Sequence, residues 1–118
     1  MLVIDDEDII GKVLSIVLPH HVVLSAEGGR EGLVLAETIE PDVIVLDLMM
    51  PVVDGYAVLN RLRDELHLEA PVLILTAVGS REDHRICLDA GASQVMTKPF
   101  DPGVVAAAID DLLARATA

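Results

Sequence analysis

The chain has 118 residues, 53% of them hydrophobic, and a formal net charge of −12. One domain of this length buries about two thirds of its unfolded surface, enough for a core without disulfides, and the single cysteine, Cys87, provides no disulfide framework. The acidic balance and the 2% aromatic content argue against direct nucleic-acid binding, which needs a cationic surface or a stacking platform, and against an anionic membrane surface. No apolar run approaches the ~18 residues of a membrane span. The N-terminus lacks the basic start and cleavage site of a signal peptide. A soluble cytoplasmic domain is the expectation.

The first element is a strand at Leu2-Val3-Ile4, followed by Asp5-Asp6-Glu7-Asp8. So short a strand at the start suggests that residues precede Met1 in the natural protein. Ile9, Ile10, Val13, Leu14, Ile16 and Val17 recur at helical spacing, and Pro19 stops that helix. Ile10, Val13, Leu14 and Val17 fit its sheet-facing side. Ile9 and Ile16 then lie outside, as a docking patch or as ordinary exposed aliphatics. Val22-Val23-Leu24 predicts a second strand, and Gly28-Gly29 turns the chain into a helix from about Arg30 to Ile39. Gly32 within it costs about 1 kcal/mol against Ala.

Val43-Ile44-Val45-Leu46 reads as a strand buried on both faces. It ends on Asp47, and a loop containing Met49-Met50-Pro51 leads to Asp54-Gly55 and a third helix to about Leu66, with Val58, Leu59 and Leu62 inward. Pro71 to Leu75 forms a fourth strand ending on Thr76. Ser80 to Ala90 forms a helix with Gly91 as its C-terminal stop. Gln94 to Thr97 is a short fifth strand closed by Lys98-Pro99. Asp101-Pro102 caps a last helix with Val105, Ala108, Ile109 and Leu112 inward. Cys87 is read as a small core residue, and His67 and His84 as surface residues. His20 and His21 lie in a loop that shows no further metal ligands. Five alternations of strand and helix imply a parallel sheet with right-handed crossovers.

In such sheets the chemistry sits just outside the carboxyl ends of the strands. Those ends carry Asp5-Asp6, Asp47, Thr76 and Lys98. Each has an ordinary explanation: dipole complementation for the acidic pair, a turn former for Asp47, an N-cap for Thr76, a loop for Lys98. Taken together, three carboxylates offer hard oxygen ligands suited to Mg²⁺. Lys98 offers a point charge for an anion and Thr76 a hydroxyl donor. Metal, ammonium and hydroxyl can cover the oxygens of a transferring phosphoryl group, with a carboxylate as nucleophile. Asp47, ending the central strand, is the best candidate for that nucleophile.

The motifs IDDE at Ile4–Glu7, DLMMPVVDG at Asp47–Gly55, LTA at Leu75–Ala77 and TKPF at Thr97–Phe100 carry a clear resemblance. The sequence resembles the receiver domain of two-component response regulators over essentially its whole length, residues 1–118. The resemblance implies a flavodoxin-like (βα)5 three-layer sandwich with a parallel five-stranded sheet of order 2-1-3-4-5. It implies that Asp47 accepts a phosphoryl group from a sensor histidine kinase or a histidine phosphotransfer protein. Asp6, Asp47 and the backbone carbonyl of Met49 would bind Mg²⁺, Asp5 helping through water, while Thr76 and Lys98 bind phosphoryl oxygens. It further implies a cis Lys98–Pro99 peptide, self-catalysed acceptance rather than turnover, partner docking on the first helix and the loop after strand five, and a linked or separate output domain. The Ala-rich last helix is a candidate surface for a phosphorylation-dependent homodimer.

Two departures from the family pattern matter, one at Val95 and one at Met49 and Val78. Val95 stands where an aromatic residue usually follows the motion of the threonine, so a rotamer switch of that kind cannot operate. Met49 and Val78, two residues after Asp47 and Thr76, are apolar and cannot orient a water, which predicts a long-lived phosphoryl form. Two rivals remain at this level: a receiver-like module that is not phosphorylated, and a phosphatase of the haloacid dehalogenase type, for which the chain is short.

Overall fold

The computed structural model describes residues 1–48, 54–77 and 80–117. In chain order the elements are β1 (Leu2–Ile4), α1 (Ile9–Val17), β2 (Leu24–Ala26), α2 (Gly29–Ile39), β3 (Ile44–Leu46), α3 (Gly55–Asn60), β4 (Val72–Thr76), α4 (Arg81–Asp89), β5 (Gln94–Thr97) and α5 (Pro102–Thr117). The five strands are parallel in the order β2-β1-β3-β4-β5. Side chains of a strand alternate between faces, and the core divides accordingly. Leu2, Ile4, Ile44, Leu46, Val72 and Ile74 pack with α2, α3 and Cys87 of α4. Val3, Val45, Leu73 and Leu75 pack with Ile10 and Leu14 of α1 and Val105, Ile109 and Leu112 of α5. Helices thus cover both faces, giving the three layers of a flavodoxin-like α/β fold. None of the described helices is long and apolar enough to cross a membrane.

The strands follow the predicted pattern except at the edge. The second strand lies at Leu24–Ala26, shifted by two residues from the predicted Val22–Leu24, because its register is set by pairing with Leu2–Ile4. Val22 and Leu24 are exposed. An edge strand carries little of the burial that makes hydrophobicity a strand signal. Ile9 and Ile16 are exposed at 58% and 77%, as expected, whereas Val13 and Val17 are only half-buried. On α5, Ala106 is buried and Ala108 half-buried, a small rotation from the expected face. His84 is half-buried rather than on the surface, and its Nε2 is enclosed without a hydrogen-bond partner among the described residues.

Gly32 has a packing reason that its helix propensity hides. A Cβ there would come within 2.7–2.8 Å of three atoms of the Ile4 side chain, so the glycine lets α2 lie directly on β1. The third helix continues from α3 into a π-helical turn at Arg61–Glu65. Within that turn Arg63 donates from Nε to the Gly91 carbonyl at 2.9 Å and from Nη1 to the Leu68 and Ala70 carbonyls at 2.6 and 2.8 Å. Arg63 therefore ties the approaches to β4 and β5 together at the amino end of the sheet. Gly91, at φ 110°, fits beside it, since a Cβ would reach within 2.8 Å of Arg63 Cγ.

Candidate functional site

The polar residues singled out in the sequence meet at the carboxyl end of the sheet. Parallel pairing of β1 with β3 in the register Ile4↔Leu46 places Asp5 and Asp47 side by side, each one residue beyond its strand. The Asp5 N–H donates to the Ala26 carbonyl and the Asp47 N–H to the Ile4 carbonyl, both at 3.0 Å, so the two backbones are fixed by the sheet ladder itself. Both residues are buried, at 4% and 5% exposure, while Asp6 is exposed. Oxygens of Asp5, Asp6 and Asp47 all come within 4.8 Å of one another. Buried carboxylates at this spacing repel unless a cation meets them.

Lys98 is that cation among the described side chains. Its Nζ lies 3.4 Å from Asp5 Oδ2 and 3.3 Å from Asp47 Oδ2. Charge-assisted N–H···O bonds close to about 2.7–2.9 Å, so this ammonium is shared between two carboxylates and committed to neither. Burial, above all, pushes the Asp5 carboxyl up to about 6, and Asp47 adds to the rise, whereas the Glu7 backbone N–H and Lys98 pull the other way. That N–H donates to Asp5 Oδ1 at 2.9 Å and fixes the carboxylate's orientation. For Lys98, burial alone would lower the pKa; Asp5 and Asp47 outweigh it and hold the ammonium above its usual range.

Thr76 ends β4 and is fully buried. Its carbonyl accepts from the Lys98 N–H at 2.7 Å, which joins the ends of β4 and β5 and brings the threonine and the lysine to one place. The Lys98–Pro99 peptide is cis. Val95 pairs with Ile74 in the β4–β5 ladder and packs, half-buried, on the core beneath α4. Met49 and Val78 lie outside the described residues.

Gly55 belongs to the site's support, although the sequence marked it only as part of a helix start. A Cβ at Gly55 would stand 2.4 Å from Leu48 Cα and 2.6 Å from the Asp47 carbonyl oxygen. Only a glycine lets α3 begin against the backbone that carries Asp47. The Gly55 N–H donates to the Leu48 carbonyl at 3.0 Å, and Asp54 caps α3 by accepting from the Ala57 N–H at 2.9 Å. The signal was the Asp-Gly pair itself, since glycine tolerates close backbone approach.

The donor set is all oxygen and anionic, with Asp6 open to solvent. It fits a hard divalent cation that keeps some of its water. Beside it stand an ammonium and, at the end of the next strand, a hydroxyl. A carboxylate, an acidic cluster that could hold a cation and an ammonium brought together suit the handling of a phosphoryl group.

Comparison with known proteins agrees. The family model of the response regulator receiver domain matches residues 1–110. The chain is 43% identical to the DNA-binding dual master transcriptional regulator RpaA of Synechocystis sp., covering 100% of this chain and 47% of that protein. It is 42% identical to the alkaline phosphatase synthesis transcriptional regulatory protein PhoP of Bacillus subtilis, over 98% of this chain and 48% of that one. The chain thus spans about half the length of these relatives. Among solved structures, the receiver domain of the Francisella response regulator 1452 superposes with a TM-score of 0.89 at 33% identity, covering 98% of this chain and 96% of that one. The chemotaxis protein CheY4 of Vibrio cholerae superposes with a TM-score of 0.85 at 30% identity, covering 94% and 95%. Sequence, sheet order and the acidic pocket at the ends of β1 and β3 agree: the chain belongs to the response regulator receiver domain family.

Proposed function

We propose that this chain is a phosphoacceptor that takes a phosphoryl group onto Asp47 from a phosphohistidine of a sensor kinase or phosphotransfer protein, in a reaction that depends on Mg²⁺. The observation that carries the reading is the Lys98 ammonium held loosely between Asp5 and Asp47, 3.3–3.4 Å from each. An ammonium so placed can turn to a phosphoryl oxygen with little loss.

In the step, an Asp47 carboxylate oxygen attacks phosphorus. The new O–P bond forms as the P–N bond to the donor imidazole breaks, and that electron pair stays on the imidazole nitrogen. Lys98 holds one phosphoryl oxygen and the Thr76 hydroxyl donates to another. Asp5, Asp6 and Asp47, with the Met49 carbonyl implied by the family resemblance, would hold Mg²⁺, which when bound neutralises charge developing on the phosphoryl oxygens. The sheet ladder fixes Asp5 and Asp47 before the donor arrives, so little reorganisation remains. The acceptor is modified once per event and is not a turnover enzyme. Because RpaA and PhoP are transcriptional regulators, the output of this receiver is best sought in transcription, through a linked domain or a separate partner.

The test is intact mass after incubation with acetyl phosphate and Mg²⁺. The wild type should gain one phosphoryl group, and Asp47→Ala none. A wild type that gains nothing would leave a receiver-fold interaction module, and repeated turnover of small phosphoesters would point to a phosphatase.

A further inference from the structure

Away from the acidic pocket, α3 and α4 leave an open cleft of about 750 Å³ between them, lined by Tyr56, Asn60, Asp83, Ile86, Asp89 and Ala90. On α4, Asp83, Ile86 and Asp89 follow at three-residue spacing, so they form one stripe along the helix. Six residues at 1.5 Å rise set the two acids about 9 Å apart, with the isoleucine between them. Ile86 is 47% exposed. Opposite, Tyr56 and Asn60 stand one turn apart on α3. Among the described residues, no basic side chain lines the cleft.

The acids are weakly matched within the chain. Asp83 accepts a hydrogen bond from the Ser80 hydroxyl and has no cationic partner among the described residues. Among the described residues Asp89 pairs with Arg85 alone, at 3.9 Å, with both side chains more than 70% exposed. Such a pair contributes little. Burial chiefly raises the Tyr56 phenol pKa, with Cys87, Asp83 and Asp54 adding to it, so the negative field reaches the cleft wall. The cleft is therefore an apolar seat with a carboxylate at each end. A groove between two helices is a natural bed for a third.

We propose that this cleft is a docking site for a basic amphipathic helix of a partner protein, seating an apolar side chain on Ile86 and Tyr56 with Lys or Arg beside Asp83 and Asp89. A cation near the Tyr56 ring would gain from its face as well. A second copy of this chain is a poor occupant, because it brings a net charge of −12 to an acidic surface. The proposal rests on the cleft alone and stands whether or not Asp47 is phosphorylated.

The experiment is an NMR titration of the whole chain, saturated with Mg²⁺, using a synthetic amphipathic helical peptide of Leu and Lys and a matched peptide with Glu in place of Lys. The Lys peptide should shift the amides of Tyr56, Asn60, Ile86 and Ala90 saturably. The Glu peptide, the double variant Asp83→Asn/Asp89→Asn and the exposed-site variant Ile86→Ser should each bind about ten-fold more weakly, a factor equivalent to 1.4 kcal/mol. Unchanged thermal melting of the Ile86→Ser protein keeps that comparison valid if the double variant is destabilised. Shifts centred on another acidic face, or affinity unchanged in both variants, would overturn the proposal.

Discussion

Lys98 and Arg63 are partly buried cations at opposite ends of the same sheet, and they are held on different terms. Arg63 meets three neutral carbonyls at 2.6–2.9 Å. Lys98 meets two carboxylates at 3.3–3.4 Å. Burial lowers the Arg63 pKa with nothing charged to oppose it, whereas at Lys98 the two acids outweigh burial. Short bonds to backbone carbonyls fix the loops they join. Longer contacts shared between two acids leave an ammonium able to turn toward another anion. On the proposed function, the amino end of the sheet serves stability and the carboxyl end serves exchange of partners.

The sharpest way to break this contrast is a pair of substitutions. Lys98→Met should slow phosphoryl incorporation by at least about 100-fold, the scale of a lost transition-state donor, and, measured with saturating Mg²⁺ to meet Asp5 and Asp47, should change stability by only about 1 kcal/mol. Arg63→Met should do the reverse. It leaves three carbonyls short of their donor and should cost about 3 kcal/mol in denaturant unfolding, with the incorporation rate unchanged. Equal losses of stability in both variants would erase the distinction.

Asp5 sharpens the picture through pH. Its carboxyl sits at about 6 in the folded chain against an ordinary 3.8. The folded state therefore binds this proton more tightly than the unfolded state. Stability from Asp5 is present at low pH and is lost as pH rises from about 4 to about 6. At 1.36 kcal/mol per unit the loss is about 2–3 kcal/mol. Metal-free unfolding measured across that range should show the decline, and Asp5→Asn should flatten it. Added Mg²⁺ should raise stability most at neutral pH, above the Asp5 value of about 6.

A smaller effect separates packing from propensity. Gly32→Ala gains about 1 kcal/mol of helix propensity, yet its Cβ meets Ile4, and overpacking costs typically 1–3 kcal/mol. The variant should melt at or below the wild-type temperature. Smallest of all should be the structural response near Val95. Beryllofluoride with Mg²⁺ should shift amides in the loop after Thr76 as well as in the acidic pocket. Shifts confined to the pocket would show that the signal leaves by another route. Polar residues in place of Met49 and Val78 should shorten the phosphoryl lifetime; an unchanged decay rate would count against their apolar side chains as its cause.

Much of this architecture is legible in the sequence. The buried central strands announce themselves because a strand enclosed on both faces must be apolar throughout, as Ile44–Leu46 is. The site residues were legible because parallel strands deliver their last residues to one edge. What the sequence hid depends on contacts rather than composition. Leu24–Ala26 pairs through backbone register and exposes most of its side chains, so Val22-Val23 looked the better strand. Nothing in Arg61-Leu62-Arg63-Asp64-Glu65 distinguishes a π-helical turn from an α-helical one. Gly32 read as a cost because its neighbour Ile4 lies far away in the chain, and Gly55 showed only half of its role.

The most direct measurement locates the phosphoryl group. After reaction with acetyl phosphate and Mg²⁺, borohydride reduction converts an aspartyl phosphate to homoserine, and peptide mass spectrometry reads the position. Homoserine is expected at position 47 and nowhere else, with none in Lys98→Met at the same reaction time. Homoserine at position 5 or 6, or none in the wild type, would contradict it.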